Sequence, residues 1–329
     1  MAPASRLASL LSSPTLRPYL LLLLAVLVLA IADGGQGRFL NRATVFSVLQ
    51  QFATLGPFAL ALGFSMIVRE FDISIAGMLS LAGCVAVLAG QTNASLGLLA
   101  ALALGAASGL LNGWLMVRLR LASVGVTLGS LLTLNGLAYV ITGNEVIAFD
   151  NAAATTLVNT PWLGVLSVRS VLALLAFALA AVVMQGTRWG RDVIAVGSDR
   201  RAALVAGVRV SAVLMAVFAV SGMLTALAGA LLSYSLAAAS PIALAQVLIP
   251  AAAAAIMGGV SLAGGRGTPV GIAGGVLLLC VLRSGLTAIA APPFVQDVVT
   301  GAVLLVVALL DVPDLRMRFR QWRRASDGA

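Results

Sequence analysis

Histidine and lysine are both missing from this 329-residue chain. Without histidine it lacks the usual proton relay and the commonest metal ligand. All 20 basic residues are arginine, a bias of composition rather than of chemistry. Cysteine occurs twice, as Cys84 and Cys280 inside apolar runs with no CxxC spacing; both read as small core residues, not a redox or metal motif. Charge is scarce as well, at 9% of residues, and aromatics make up 5%. In their place stand 61% hydrophobic residues and a mean hydropathy of +1.09, far outside the soluble range. The chain is all-α by this reading, a polytopic membrane helix bundle in a single domain over 1–329. A formal charge of +9 and a pI near 11.3 would suggest nucleic acid in a soluble protein. Here the arginines fall in loops and tail, where they orient the chain and touch membrane lipid headgroups, so no nucleic-acid partner is expected.

About ten spans are expected, near 18–33, 44–68, 74–91, 95–117, 124–142, 168–186, 211–236, 243–260, 269–290 and 295–311. Arginine crowds alternate loops: Arg6, Arg17, Arg69, Arg118, Arg120, five in 188–209, Arg266, and the tail from Arg316 to Arg324. The intervening loops hold Arg38 and Arg42, with Arg169 and Arg283 at or within spans. By the positive-inside rule both termini are expected on the cytoplasmic side. Residues 314–329, with Trp322, form a basic tail on the headgroups. Ala30-Ile31-Ala32 resembles a signal cleavage site, but an uncleaved first span is preferred because many spans follow. The longest outward loop is 143–168.

Residues 190–211 form an arginine-bearing island that cannot lie in hydrocarbon. The stretch SDRRAALVAGV reads as a short helix with Ser198 or Asp199 as N-cap and Gly207 near its end. Within the spans, Gly105, Gly109 and Gly113 line one face as a packing seam, and Gly125 with Gly129 and Gly271 with Gly275 repeat the spacing. The segment REFDISIAG, from Arg69 to Gly77, is either an interface loop or a break lining a cavity, with Asp72 or Ser74 capping the next span. Asn112, Thr127, Ser130, Thr133 and Asn135 are neutral polar groups within spans; they either bond between helices or line a wet path.

SLAGGRG, from Ser261 to Gly267, lacks the lysine and hydroxyl of a phosphate loop and reads as a tight turn. No nucleotide signature occurs elsewhere, so ATP chemistry would belong to another chain; no enzyme activity, cofactor or metal is expected. No carboxylate sits at mid-span either, which argues against ion-coupled transport and for an external energy source.

These residues resemble the permease subunits of ribose-type bacterial ABC sugar importers. EFDISIAG stands where that family carries a GGIDLSVG-like motif. GAASGLLNGWLMVRLR (105–120), SVGVTLG (123–129), IAVGSDRRAALVAGV (194–208) and GGVSLAGGRG (258–267) match further family segments in order. The resemblance implies a type II importer permease in a bacterial inner membrane. Two permeases, identical or sister chains, would sit on two cytoplasmic ATPase subunits and receive solute from a periplasmic sugar-binding protein. Residues 188–210 would be the coupling loop, with Gly197, Asp199, Arg200, Arg201, Ala202, Ala203 and Gly207 meeting the ATPase. Asp72, Ser74, Asn112, Thr127, Ser130 and Asn135 would line the translocation path. Arg69 and Glu70 replace the family's neutral glycines, and Val124-Gly125 its Phe-Ile, which leaves the solute open. Importers of nucleosides or branched-chain amino acids, an ion-coupled transporter and a membrane scaffold are the competing readings.

Overall fold

The structure is a computed structural model that describes residues 15–242 and 247–310. The expected basic tail and Arg6 lie outside the described residues. Thirteen helices and one two-stranded ribbon make up the described chain. Ten of the helices are apolar and stand at the ten expected positions. They are α1 (Arg17–Ala32), α2 (Arg42–Ile67), α3 (Ile75–Gly90), α4 (Ala94–Leu119), α5 (Ser123–Thr142), α7 (Val168–Gly186), α10 (Val210–Leu236), α11 (Leu248–Met257), α12 (Pro269–Ala288) and α13 (Pro293–Leu310). Six of these are long and apolar enough to cross a membrane: α2, α4, α5, α7, α10 and α12. The chain is an all-α multi-pass membrane bundle.

Local chemistry sets where the helices begin. Asn41 Oδ1 accepts the Thr44 N–H at 2.8 Å ahead of α2. Thr268 Oγ1 accepts the Gly271 N–H at 3.0 Å ahead of α12, whose first residue, Pro269, has no N–H to leave unpaired. Ser167 and Ser170 exchange bonds as a capping box at α7.

Helices α2 and α10 form the centre. From Leu55 to Val68 every residue of α2 and its exit is buried, as expected for a helix surrounded by others. α10 packs on α2, α3 and α4, while α2 also meets α7, α11 and α12. The α4–α10 contact is a backbone-to-backbone seam. A Cβ at Gly105 would collide with the Gly222 carbonyl, one at Gly222 with the Gly105 carbonyl, and one at Gly109 with the Phe218 carbonyl. Gly113 faces Met215, whose Cα would lie 2.8 Å from such a carbon. Gly271 packs in the same way on Gly258, just past α11, and Gly275 on Ala254 of α11. Gly125 and Gly129 do not: nothing lies within 4 Å of where their side chains would be. The same four-residue spacing is therefore packed on α4 and open on α5.

Two expected loops contain structure of their own. Within 143–168 lie β1 (Ile147–Ala148) and α6 (Ala152–Asn159), and β1 pairs antiparallel with β2 (Ala238–Ala239) after α10. The island after α7 is helical nearly throughout, as α8 (Arg188–Ser198) and α9 (Arg200–Val205). The apolar residues of α8 are grouped on one face, so α8 can lie flat on the bundle end and stay polar outward.

Candidate functional site

Three chain connections close on one another at one end of the bundle: the exit of α2, the α8–α9 corner and the glycine turn before α12. The Gly265 N–H donates to the Ile67 carbonyl at 2.8 Å. A Cβ at Gly197 would overlap that same carbonyl, so close approach, rather than a turn, requires glycine there. Gly207 is the turn residue, with a φ of +85° after α9. Two arginines then cross in opposite directions. Arg69 Nη2 donates to the Ser198 carbonyl at 2.6 Å. Arg200 Nη2 donates to Glu70 Oε1 at 2.5 Å and to the Val68 carbonyl at 2.9 Å. Beside this junction opens a cleft of about 740 Å³, lined by Arg69, Glu70, Arg120, Asp199, Arg200 and Arg201.

Asp199 is the N-cap of α9. Its Oδ1 accepts the N–H groups of Arg201 at 2.8 Å and Ala202 at 3.0 Å. Those two bonds hold the exposed carboxyl below the usual carboxylate range. The cap orients the helix so that Ala203 is buried and Arg200 points back to Glu70. Arg200 and Ala203, expected at a partner's surface, therefore face the bundle itself. Arg201, Ala202, Leu204 and Val205 face outward, Val205 being 90% exposed. An apolar pair on the outside of a polar helix was the signal available in the sequence for that face.

Two residues beyond Glu70 begins a chain of polar contacts that runs into the apolar interior. Asp72 Oδ1 accepts the Ser74 hydroxyl at 2.5 Å and the Ser74 N–H at 3.1 Å. Asn112 Nδ2 of α4 donates to Ser74 Oγ at 2.9 Å. Ser130 Oγ of α5 donates to Asn112 Oδ1 at 2.5 Å. Asp72, Ser74 and Asn112 are almost fully buried. Burial pushes the Asp72 carboxyl up to about 6, against the pull of the Ser74 hydroxyl and N–H. Ser221 of α10 sits against the same carboxyl and favours its ionised form. Asp72 thus orders the α2–α3 connection; Ser74 occupies the N-cap position of α3 without a side-chain cap bond.

Thr127 lies next to this relay, donating to the Ser123 carbonyl at 2.9 Å and to the Phe71 carbonyl at 3.3 Å. Asn135 stands apart along α5, its Oδ1 beside Gly77 of α3. Ser221 escaped the sequence reading because a lone serine in an apolar helix carries no pattern. It and Thr225, one turn on, are buried without a hydrogen bond of good geometry.

The opposite end is tied differently. Arg169 is buried and donates to Ser235 Oγ, to the Gln50 carbonyl at 2.9 Å and to Thr54 Oγ1 at 2.7 Å. Asn159 of α6 bonds both the carbonyl and the hydroxyl of Ser235, so this knot joins α2, α6, α7 and α10. A small cavity of about 160 Å³, lined mainly by α3, α10 and β2, contains Ser80, Ser233 and Ser240.

Residues 44–308 match the family model described as "Branched-chain amino acid transport system / permease component". The ribose import permease protein RbsC of Bacillus subtilis is 31% identical over 301 residues, covering 90% of this chain and 92% of that protein. The L-arabinose ABC transporter permease protein AraH of Azospirillum brasilense is 28% identical, covering 88% of this chain and 85% of its own. The fructose import permease protein FrcC of Rhizobium meliloti is 29% identical, covering 91% and 86%. No solved structure matches the chain.

Proposed function

Since the chain belongs to the branched-chain amino acid transport system / permease component family, we propose that it forms the membrane path of an ATP-driven importer for a monosaccharide or related small polar solute. The observation that carries this reading is the relay Asp72–Ser74–Asn112–Ser130, buried in an apolar bundle two residues from the junction with α8 and α9. Ser74, Asn112 and Ser130 carry hydroxyl and amide groups that can offer a sugar replacement hydrogen bonds, and the Asp72 carboxyl that anchors them is held by Ser74. The relatives named for ribose, L-arabinose and fructose transport support that solute class.

In this reading the arginine-rich end, with Arg69, Arg120, Arg200, Arg201 and Arg266, faces the cytoplasm of a bacterial cell, and both termini lie on that side. A separate ATPase binds the outward face of α9, with Arg201, Leu204 and Val205 as its contacts. The periplasmic binding protein meets the end that carries α6 and the β ribbon, and selects the solute. The open glycine face of α5 beside Ser130 fits a second permease, a copy or a sister chain, across the path. This chain binds and guides; the hydrolytic chemistry belongs to its partner.

The test is ATP hydrolysis and uptake in proteoliposomes holding the permease and its candidate ATPase, with and without sugar-loaded binding protein. Stimulation should require both partners and should vanish in Leu204→Asp/Val205→Asp. Uptake that proceeds without ATP, or an ATPase that never associates, would refute the importer reading in favour of ion-driven transport.

A further inference from the structure

We propose that Arg69, Glu70 and Arg200 form a charged clamp that transmits movement of α9 to the buried relay, acting as positioning residues for transport. This rests on the reading of α9 as the ATPase contact. The clamp is reciprocal: the α2 exit sends Arg69 to the Ser198 carbonyl, and α9 sends Arg200 to Glu70 and to the Val68 carbonyl. Each arginine holds a backbone carbonyl of the other segment, and Arg200 holds the Glu70 side chain as well, so a shift of the α8–α9 corner pulls on residues 68–70. The Glu70 side chain is only 11% exposed, against 40% for Arg200. A carboxylate so enclosed is screened less than a surface pair, and leaving it unpaired is costly.

The backbone between clamp and relay is short and held at both ends. The Glu70 N–H donates to the Ser65 carbonyl at 3.0 Å, and Asp72 accepts from Ser74. Arg69 itself adopts a left-handed φ of 61°, a conformation unfavourable for a residue with a side chain. That arrangement persists because the guanidinium is anchored on Ser198 and the neighbouring N–H on Ser65. Displacing α9 would pull on Glu70, and only Phe71 separates Glu70 from Asp72. The pull then falls on Asp72, which holds Ser74, which receives Asn112 of α4, which receives Ser130 of α5. Movement at the bundle end thus alters the contact between α3, α4 and α5, where the solute would pass. The backbone contact of Gly265 with Ile67 provides a fixed pivot one step away.

The experiment uses the full chain with its ATPase and binding protein in proteoliposomes, with radiolabelled ribose, L-arabinose and fructose as probes. It reads sugar delivered per ATP hydrolysed, and in parallel the ATPase captured by the permease. Glu70→Arg should lower delivery per ATP by about tenfold while ATPase is still captured, and Glu70→Arg/Arg200→Glu should recover it to within about threefold. Hydrogen exchange over 68–76 should respond to ATP in the unmutated chain and lose that response in Glu70→Arg. If the reversed charge prevents insertion, Glu70→Gln should show the same uncoupling at about threefold. Normal delivery per ATP in either single variant, or a double variant no better than Glu70→Arg, would overturn the clamp. An unmutated chain that captures no ATPase would instead sink the functional reading, a result distinguishable from either.

Discussion

Adding one methyl group to the α4–α10 seam should destabilise the bundle, whereas the same methyl on α5 should not. A Cβ at Gly109 would collide with the Phe218 carbonyl oxygen and sit 2.6 Å from its carbon and 2.9 Å from Ala219 Cα. Non-bonded carbons prefer about 3.5–4.0 Å, so the two helices would have to separate by about 1 Å at that turn. Overpacking of this kind costs about 1–3 kcal/mol, and separation also weakens the dispersion contacts along the seam. Replacing glycine by alanine in a helix recovers about 1 kcal/mol of propensity, which would hide part of the effect. Gly125→Ala removes that ambiguity, because nothing lies within 4 Å of the added carbon. The propensity gain has the same sign in both variants and is smaller in the first turn of α5, so their difference gives a lower bound on the packing cost of about 1–3 kcal/mol. Denaturant-induced unfolding of the purified chain in mixed micelles, with no partner added, measures it. A difference between Gly109→Ala and Gly125→Ala of less than about 0.5 kcal/mol would show that the seam is not close-packed, and the reasoning would fail.

Asn112→Leu keeps the volume but removes the donor to Ser74 and the acceptor of Ser130. Uptake should fall about tenfold while stability changes by about 1 kcal/mol or less, as interhelical hydrogen bonds in membranes are individually weak. Equal losses of both would assign the relay to packing alone. Asp199→Ala should raise amide exchange across 200–205, because the Arg201 and Ala202 N–H groups lose their acceptor. The Asp199 carboxyl titrates below its usual range, so the cap is complete above the unfolded pKa of about 3.9 and is lost as pH falls through the folded value. Protection in 200–205, taken as exchange relative to an unstructured peptide at the same pH, should therefore fall on acidification below the unfolded pKa of about 3.9, and Asp199→Asn should abolish that fall; pH-independent protection would contradict the cap.

Much of the bundle was legible in the sequence because its cause is local. Transfer of a side chain from water to hydrocarbon is decided residue by residue, so ten apolar stretches with arginine-bearing connections mark the helices before any contact is known. The ordered segments EFDISIAG, SDRRAALVAGV and GGVSLAGGRG placed the chain in its family for the same reason, since a motif is a string. A cap at Ser198 or Asp199 and the glycine at Gly207 belong here too, being fixed by neighbours within a turn; the structure makes Asp199 the cap. Partner choice is not local. Gly105 and Gly109 share their spacing with Gly125 and Gly129, yet only the first pair meets another backbone, because α10 lies along the glycine face of α4 while the glycine face of α5 is open. Arg200 and Arg201 are adjacent arginines, and the roll of α9, set by burying Ala203, sends one to Glu70 and leaves the other in solvent. Asp72, Ser74, Asn112 and Ser130 come from three separate stretches, and no periodicity predicts that they touch. Only the packing of α3, α4 and α5 decides it, because in an apolar medium a buried polar group must be satisfied by whichever helix is brought beside it.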